Sequence, residues 1–76
     1  MKARHYIKNS KELGENLKTA RTKSGITQYT ASKLTNLNRS SLSYYENGIN
    51  IPNIFTMIKL MNIYKVNIND LIFANE

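Results

Sequence analysis

Seventy-six residues with no cysteine suffice for one hydrophobic core and exclude both a disulfide framework and a cysteine-based zinc site. No apolar run approaches the roughly 18 residues of a membrane span, and the basic start lacks the apolar stretch of about 7–15 residues that marks a signal peptide. A soluble, cytoplasmic protein is expected. The net charge of +6 is unevenly held, with nine basic and three acidic residues in 1–48 and two of each in 49–76. A basic segment of this kind is the footprint of a polyanion binder, and equally of an ordinary solvated surface.

In chain order, residues 1–9 carry Lys2, Arg4, His5 and Lys8 and read as a basic tail ahead of a domain spanning 10–76. Ser10 is placed to cap a first helix with Leu13, Leu17 and Ala20 on one face, at amphipathic spacing. Gly25 is placed to end it in a left-handed turn. Thr27 caps a second helix, 28–35, that offers Ala31 and Leu34 to the core. Asn36 follows, a residue that tolerates positive φ. Asn38 caps a third helix running to about residue 47, stopped by Gly48. Pro52 forbids continuation through 49–52. A fourth helix over about 53–65 repeats Ile54, Met57, Ile58 and Met61, a core stripe. Asn67 and Asp70 are spaced as a capping box for a last helix. The reading is all-α, with five helices and no strand.

Two short helices joined by Asn36, Leu37 and Asn38 meet at a steep angle, the helix-turn-helix arrangement. At about 100° per residue, Leu42 and Tyr45 fall on one side of the third helix, and Arg39, Ser40, Ser43, Tyr44 and Asn47 within about 140° on the other. That outward set has no acid and no aliphatic residue. A fork donor, two hydroxyls, an amide and a phenol can bond base edges without repelling phosphate.

From Leu13 to Ile72 the chain resembles the Cro and phage-repressor type of helix-turn-helix protein, also called the XRE family. The resemblance is carried by Leu13-Gly14, Arg21, Gly25-Ile26-Thr27-Gln28, Asn38-Arg39-Ser40-Ser41-Leu42-Ser43, Tyr45-Glu46-Asn47-Gly48, Pro52 and the stretch from Val66 to Ile72. It implies a lambda-repressor-like fold and a transcriptional regulator, a repressor acting as a homodimer on a two-fold operator in double-stranded DNA. It also implies that Thr27 opens the second helix and that Gln28 touches phosphate or the base-reading side chains. The resemblance further implies that Arg21 and Glu46 form an internal ion pair, that Arg39, Ser40, Ser43 and Tyr44 read bases, and that Asn47 faces a phosphate. Arg39 is the candidate for a bidentate contact to guanine, and Tyr44 for a thymine methyl. The chain departs from the family in having Ala31-Ser32 where a bulkier pair is usual, Thr30 for a capping Glu, Asn36 for a turn Gly and Met61 for a small residue. The first departure predicts a less firmly held reading helix.

Ile63, Ile68, Ile72 and Phe73 exceed the apolar content a lone domain needs and are read either as a dimer contact or as closure of the core. The tail at 1–9 is either disordered or an arm along the DNA. His5, the sole histidine, has no cysteine or clustered carboxylates beside it, and no Ser-His-Asp set or glycine-rich phosphate loop is present. No metal, cofactor or enzymatic activity is expected. Two other roles fit the same fold: the antitoxin of a toxin pair or the controller of a restriction system, and a protein–protein module such as an anti-repressor, which does not require an acid-free outward face.

Overall fold

The computed structural model describes residues 4–75. In chain order these form β1 (Arg4–Tyr6), α1 (Ser10–Lys23), α2 (Gln28–Thr35), α3 (Arg39–Glu46), α4 (Ile54–Tyr64), α5 (Ile68–Ile72) and β2 (Phe73–Asn75). None of these helices is long and apolar enough to cross a membrane.

Local signals set most boundaries. Asn9, rather than Ser10, caps α1: its Oδ1 accepts from the backbone N–H of Glu12 at 2.9 Å. Both are capping residues, and Ser10 is used elsewhere, its Oγ donating to the carbonyl of Gly48 at 2.8 Å. Thr27 accepts from the N–H of Thr30 at 3.1 Å to start α2, and Asn36 closes it at φ 59°. Asn53 caps α4, and Lys65 ends it at φ 60°. In α5 the Asn67–Asp70 capping box is complete in both directions.

The core gathers Leu13, Leu17 and Ala20 of α1, Ala31 of α2, Leu42 of α3, Met57, Leu60 and Tyr64 of α4, and Leu71 of α5. Three expected core positions are elsewhere. Leu34 is 60% exposed, because the short α2 turns only Ala31 and Thr35 fully inward. Ile54 and Ile58 are also exposed. α4 is apolar on both sides, and the stripe that faces the core is Met57–Leu60–Tyr64, with Met61 and Ile63 packed at its margin.

The expectation of no strand is corrected. β1 and β2 pair antiparallel, Arg4 with Asn75, His5 with Ala74 and Tyr6 with Phe73, and Ile7 N–H donates to the Ile72 carbonyl at 2.8 Å. Residues 4–7 of the predicted tail are thus fastened to the end of the domain; Lys2 lies outside the described residues. Asn16 of α1 holds the other side of the seam, its Nδ2 donating to the carbonyls of Leu71 at 2.8 Å and Phe73 at 3.0 Å. The Tyr6 and Phe73 rings stack at 4.7 Å between centroids.

Candidate nucleic-acid interface

The third helix is held from three directions. From below, α1 presses against its C-terminal end. A Cβ on Gly14 would lie 2.5 Å from the carbonyl oxygen of Glu46, and one on Gly48 2.7 Å from Lys11 Cα. Only hydrogen fits at both places, so the two backbones touch. Gly48 also sits at φ 75°, a conformation that costs other residues energy.

From the side, a buried polar network fixes rotation about the α3 axis. Arg21 Nε donates to Glu46 Oε2 at 2.6 Å and Nη2 donates to Oε1 at 3.1 Å. The Arg21 and Glu46 side chains are only 12% and 5% exposed. The remaining guanidinium nitrogen donates to the Ile26 carbonyl at 2.9 Å. Gln28 Nε2 completes the set at 3.1 Å from Glu46 Oε1. Each guanidinium nitrogen and each carboxylate oxygen has a partner, which offsets the desolvation that a buried pair otherwise suffers. The bond to Glu46 holds the Arg21 guanidinium above its usual pKa. Burial pushes the neighbouring Tyr64 phenol up to about 12, and the Glu46 charge adds to the rise.

From the N-terminal side comes the turn. Ser32 Oγ donates to the Leu37 carbonyl at 2.5 Å, and Thr35 Oγ1 to Ala31 O at 2.7 Å. The missing bulk at Ala31-Ser32 is therefore offset by a short hydrogen bond that ties α2 to the turn. Ala31 itself is fully buried.

On this frame the outward side of α3 presents Arg39, Ser40, Tyr44 and Asn47 to solvent, with Ser43 half-buried. Leu42 and Glu46 are buried and Tyr45 packs against the core, so the only acid of α3 faces in. Asn47 Nδ2 donates to the carbonyl and the Oγ of Ser43, at 2.9 and 3.3 Å. That couples these two side chains on the surface. Thr27 is spent partly on its cap, and Gln28 reaches the ion pair rather than projecting freely outward.

Two features escaped the sequence reading. Asn38 has the extended backbone of a cap, but its side chain makes no capping hydrogen bond. Its backbone is extended without the side-chain bond that Asn9, Thr27, Asn53 and Asn67 make at their helices. On α2, Lys33 Nζ lies 5.3 Å from the centroid of the exposed Tyr29 ring, a cation–π pair at i, i+4 spacing. That spacing was visible in the sequence.

The four residues read as a dimer contact are mostly engaged within the chain. Ile63 packs on the core, Ile72 lends its carbonyl to Ile7, and Phe73 stacks on Tyr6, which leaves Ile68 exposed. A groove of about 590 Å³ lies near the strand pair, lined by His5, Glu12, Glu15 and Asp70 among others. It includes no α3 residue, and its carboxylates would repel phosphate. Among the described residues no group of three His, Asp or Glu side chains is placed to hold a metal ion. Outside that groove, α3 exposes Arg39, Ser40, Tyr44 and Asn47 and no carboxylate.

Residues 17–71 match a family model described as helix-turn-helix. The HTH-type transcriptional regulator ImmR of Bacillus subtilis (strain 168) is 39% identical over 64 residues, which are 84% of this chain and 50% of that protein. The chain thus spans about half the length of that curated relative. Among solved structures, the restriction-modification controller protein C.AhdI from Aeromonas hydrophila superposes with a TM-score of 0.74 at 26% identity, covering 80% of this chain and 92% of that one. The clp gene regulator ClgR from Corynebacterium glutamicum gives 0.79 at 16% identity over 88% and 71% of the two chains, a likeness of fold.

Proposed function

The chain belongs to the helix-turn-helix family, and from that premise we propose that it is a sequence-specific transcriptional regulator of double-stranded DNA. In this reading it is cytoplasmic and acts as a repressor, as a homodimer on a two-fold operator. The observation that carries the reading is the outward face of α3, where Arg39, Ser40 and Tyr44 are exposed while Glu46 is turned inward. Lysines and arginines of residues 1–48 draw in the phosphate backbone and release its counterions. The first N–H groups of α3, with Asn38 and Thr27, fix register on phosphate. Arg39 then forks onto a guanine, a contact worth about 1–3 kcal/mol of discrimination, and Tyr44 lies on a thymine methyl. Ser40 and Ser43 adapt to neighbouring edges. Asn47, braced by Ser43, meets a phosphate. Gln28 acts on these residues through Glu46, as a positioning group.

Selection of bound sequences from a random DNA pool tests this directly. A symmetric site with half-sites about 34–36 Å apart is expected, together with affinity that falls steeply with salt. No enriched sequence, or salt-independent binding, contradicts the reading. A second reading, control of a restriction system, is favoured by the likeness to C.AhdI, which extends over most of that chain. A selected site lying ahead of restriction and modification genes supports it, and a site elsewhere removes it.

A further inference from the structure

Asn47 is the one asparagine of the chain that a glycine follows. Asn50, Asn53, Asn62 and Asn67 each precede isoleucine, whose branched Cβ crowds the intervening amide. Before glycine that amide is unobstructed, and its nitrogen can attack the asparagine Cγ to close a five-membered succinimide. Three features of the structure hold Asn47 and Gly48 out of this reaction. The Asn47 backbone lies at ψ 2°, which aligns the Gly48 nitrogen with the Asn47 nitrogen instead of with Cβ. Ring closure needs a turn of about 120° about the Asn47 Cα–C bond. The Asn47 amide is drawn back along α3, its Nδ2 donating to the Ser43 carbonyl at 2.9 Å and to Oγ at 3.3 Å. Gly48 is gripped as well. Its N–H donates to the Tyr45 carbonyl at 3.2 Å, its carbonyl accepts from Ser10 Oγ at 2.8 Å, and its Cα packs on the Lys11 backbone. The turn therefore requires α1 and the end of α3 to part, a local opening.

We propose that Asn47–Gly48 is a self-modification site, kept shut by the α1–α3 contact, and that the acid formed when the contact opens retires the chain as a DNA reader. The Gly48 N–Cγ bond forms and the Cγ–Nδ2 bond breaks, so Nδ2 leaves as ammonia with the proton of the Gly48 N–H. Water then adds to one of the two imide carbonyls, giving aspartate or isoaspartate, with no oxidant or reductant involved. The product does not regain the native arrangement. A carboxylate, which only accepts, replaces the Nδ2 donor opposite the Ser43 carbonyl. It stands at the C-terminal end of α3, where the helix dipole opposes negative charge. It is also an acid on a face whose only native carboxylate, Glu46, is turned inward. The isoaspartate form adds a methylene to the main chain, shifting Gly48 out of a place where even a Cβ does not fit. The consequence for DNA rests on the reading of α3 proposed above, and the chemistry does not.

The 76-residue chain is incubated at neutral pH in buffer and in denaturing urea, and peptide mapping by mass spectrometry follows each asparagine. In urea, Asn47 is expected to convert at least about tenfold faster than the asparagines that precede isoleucine. In buffer its conversion should be at least about 30-fold slower than in urea, the factor for an opening that costs about 2 kcal/mol. Ser10→Ala and, separately, Ser43→Ala each remove one restraint and should raise the rate in buffer about threefold or more, leaving the rate in urea unchanged. Far-ultraviolet spectra show which of the two remains folded, and either suffices. Asn47→Asp should bind a site selected by the parent about tenfold or more weakly. Equal rates in buffer and in urea overturn the shut site, and conversion in urea no faster at Asn47 than before isoleucine overturns the site itself. Undiminished binding by Asn47→Asp overturns the loss of reading. A parent that selects no DNA sequence counts against the functional reading instead, while the rates still decide the modification site.

Discussion

Replacing Glu46 with alanine removes the centre of the network that orients the reading helix. Three donors converge on its carboxylate, two from Arg21 and one from Gln28. The substitution leaves a guanidinium that is only 12% exposed with one remaining partner, the Ile26 carbonyl. Breaking a buried pair from one side costs about 3–5 kcal/mol, because the surviving charge stays desolvated. A chain of 76 residues has about 4–11 kcal/mol of stability in total at the usual value per residue. Glu46→Ala is therefore expected to take a large share of it, and Glu46→Gln a smaller one. The double replacement Arg21→Leu/Glu46→Leu removes both charges at once and should stay within about 1–2 kcal/mol of the parent. Urea unfolding followed by circular dichroism at pH 7 supplies these values, and adding the single variants Arg21→Leu and Glu46→Leu closes the cycle that gives the coupling. If Glu46→Ala costs less than about 1 kcal/mol, or if the double variant costs the sum of the singles, the pair is not the desolvated clamp described above.

Further substitutions separate the other elements of the frame. Gly14→Ala raises helix propensity, yet its Cβ would be driven into the carbonyls of Tyr45 and Glu46. A net loss of about 1–3 kcal/mol in urea unfolding is expected, and a gain would refute the close approach of α1 to α3. Leu34→Gln, at an exposed position, should cost under about 0.5 kcal/mol, whereas Leu17→Ala in the core should cost about 2–5; thermal melts distinguish them. Tyr64 titrates near 10 when unfolded and about 12 when folded. The stability this contributes is complete below pH 10 and is lost as pH rises toward 12, by about 2–3 kcal/mol. Unfolding free energies measured across that window should fall for the parent, with that part of the fall absent in Tyr64→Phe.

Much of this architecture was legible in the chain because its signals are local. Thr27 before Gln28, Asn36 in a left-handed turn and Gly48 past α3 each act on their own few residues, and together they delimit the two helices of the motif. The capping box at Asn67 and Asp70 is of the same kind. The β1–β2 seam was not legible, since three-residue strands are too short to show alternation and their pairing joins opposite ends of the chain. The α4 stripe was misread for another reason. Ile54 and Ile58 have helical spacing as good as that of Met57, Leu60 and Tyr64, and periodicity alone does not say which side meets the core. Asn9 and Ser10 are both good caps, and the choice between them depends on Gly48, 38 residues away from Ser10. At the candidate site, the outward set on α3 followed from angular position alone. The engagement of Gln28 with Glu46 and the bare side chain of Asn38 depend on tertiary placement.

The central claim is that the outward face of α3 distinguishes bases, with Arg39 as its principal reader. Binding of the parent and of Arg39→Ala to a selected site and to all its single-base variants tests that most directly. The parent should lose about 1–3 kcal/mol at one base pair of each half-site, and Arg39→Ala should bind all variants of that pair alike while keeping its preferences elsewhere. Uniform weakening across every sequence, with the preference at each position intact, would contradict the claim and make Arg39 a phosphate contact.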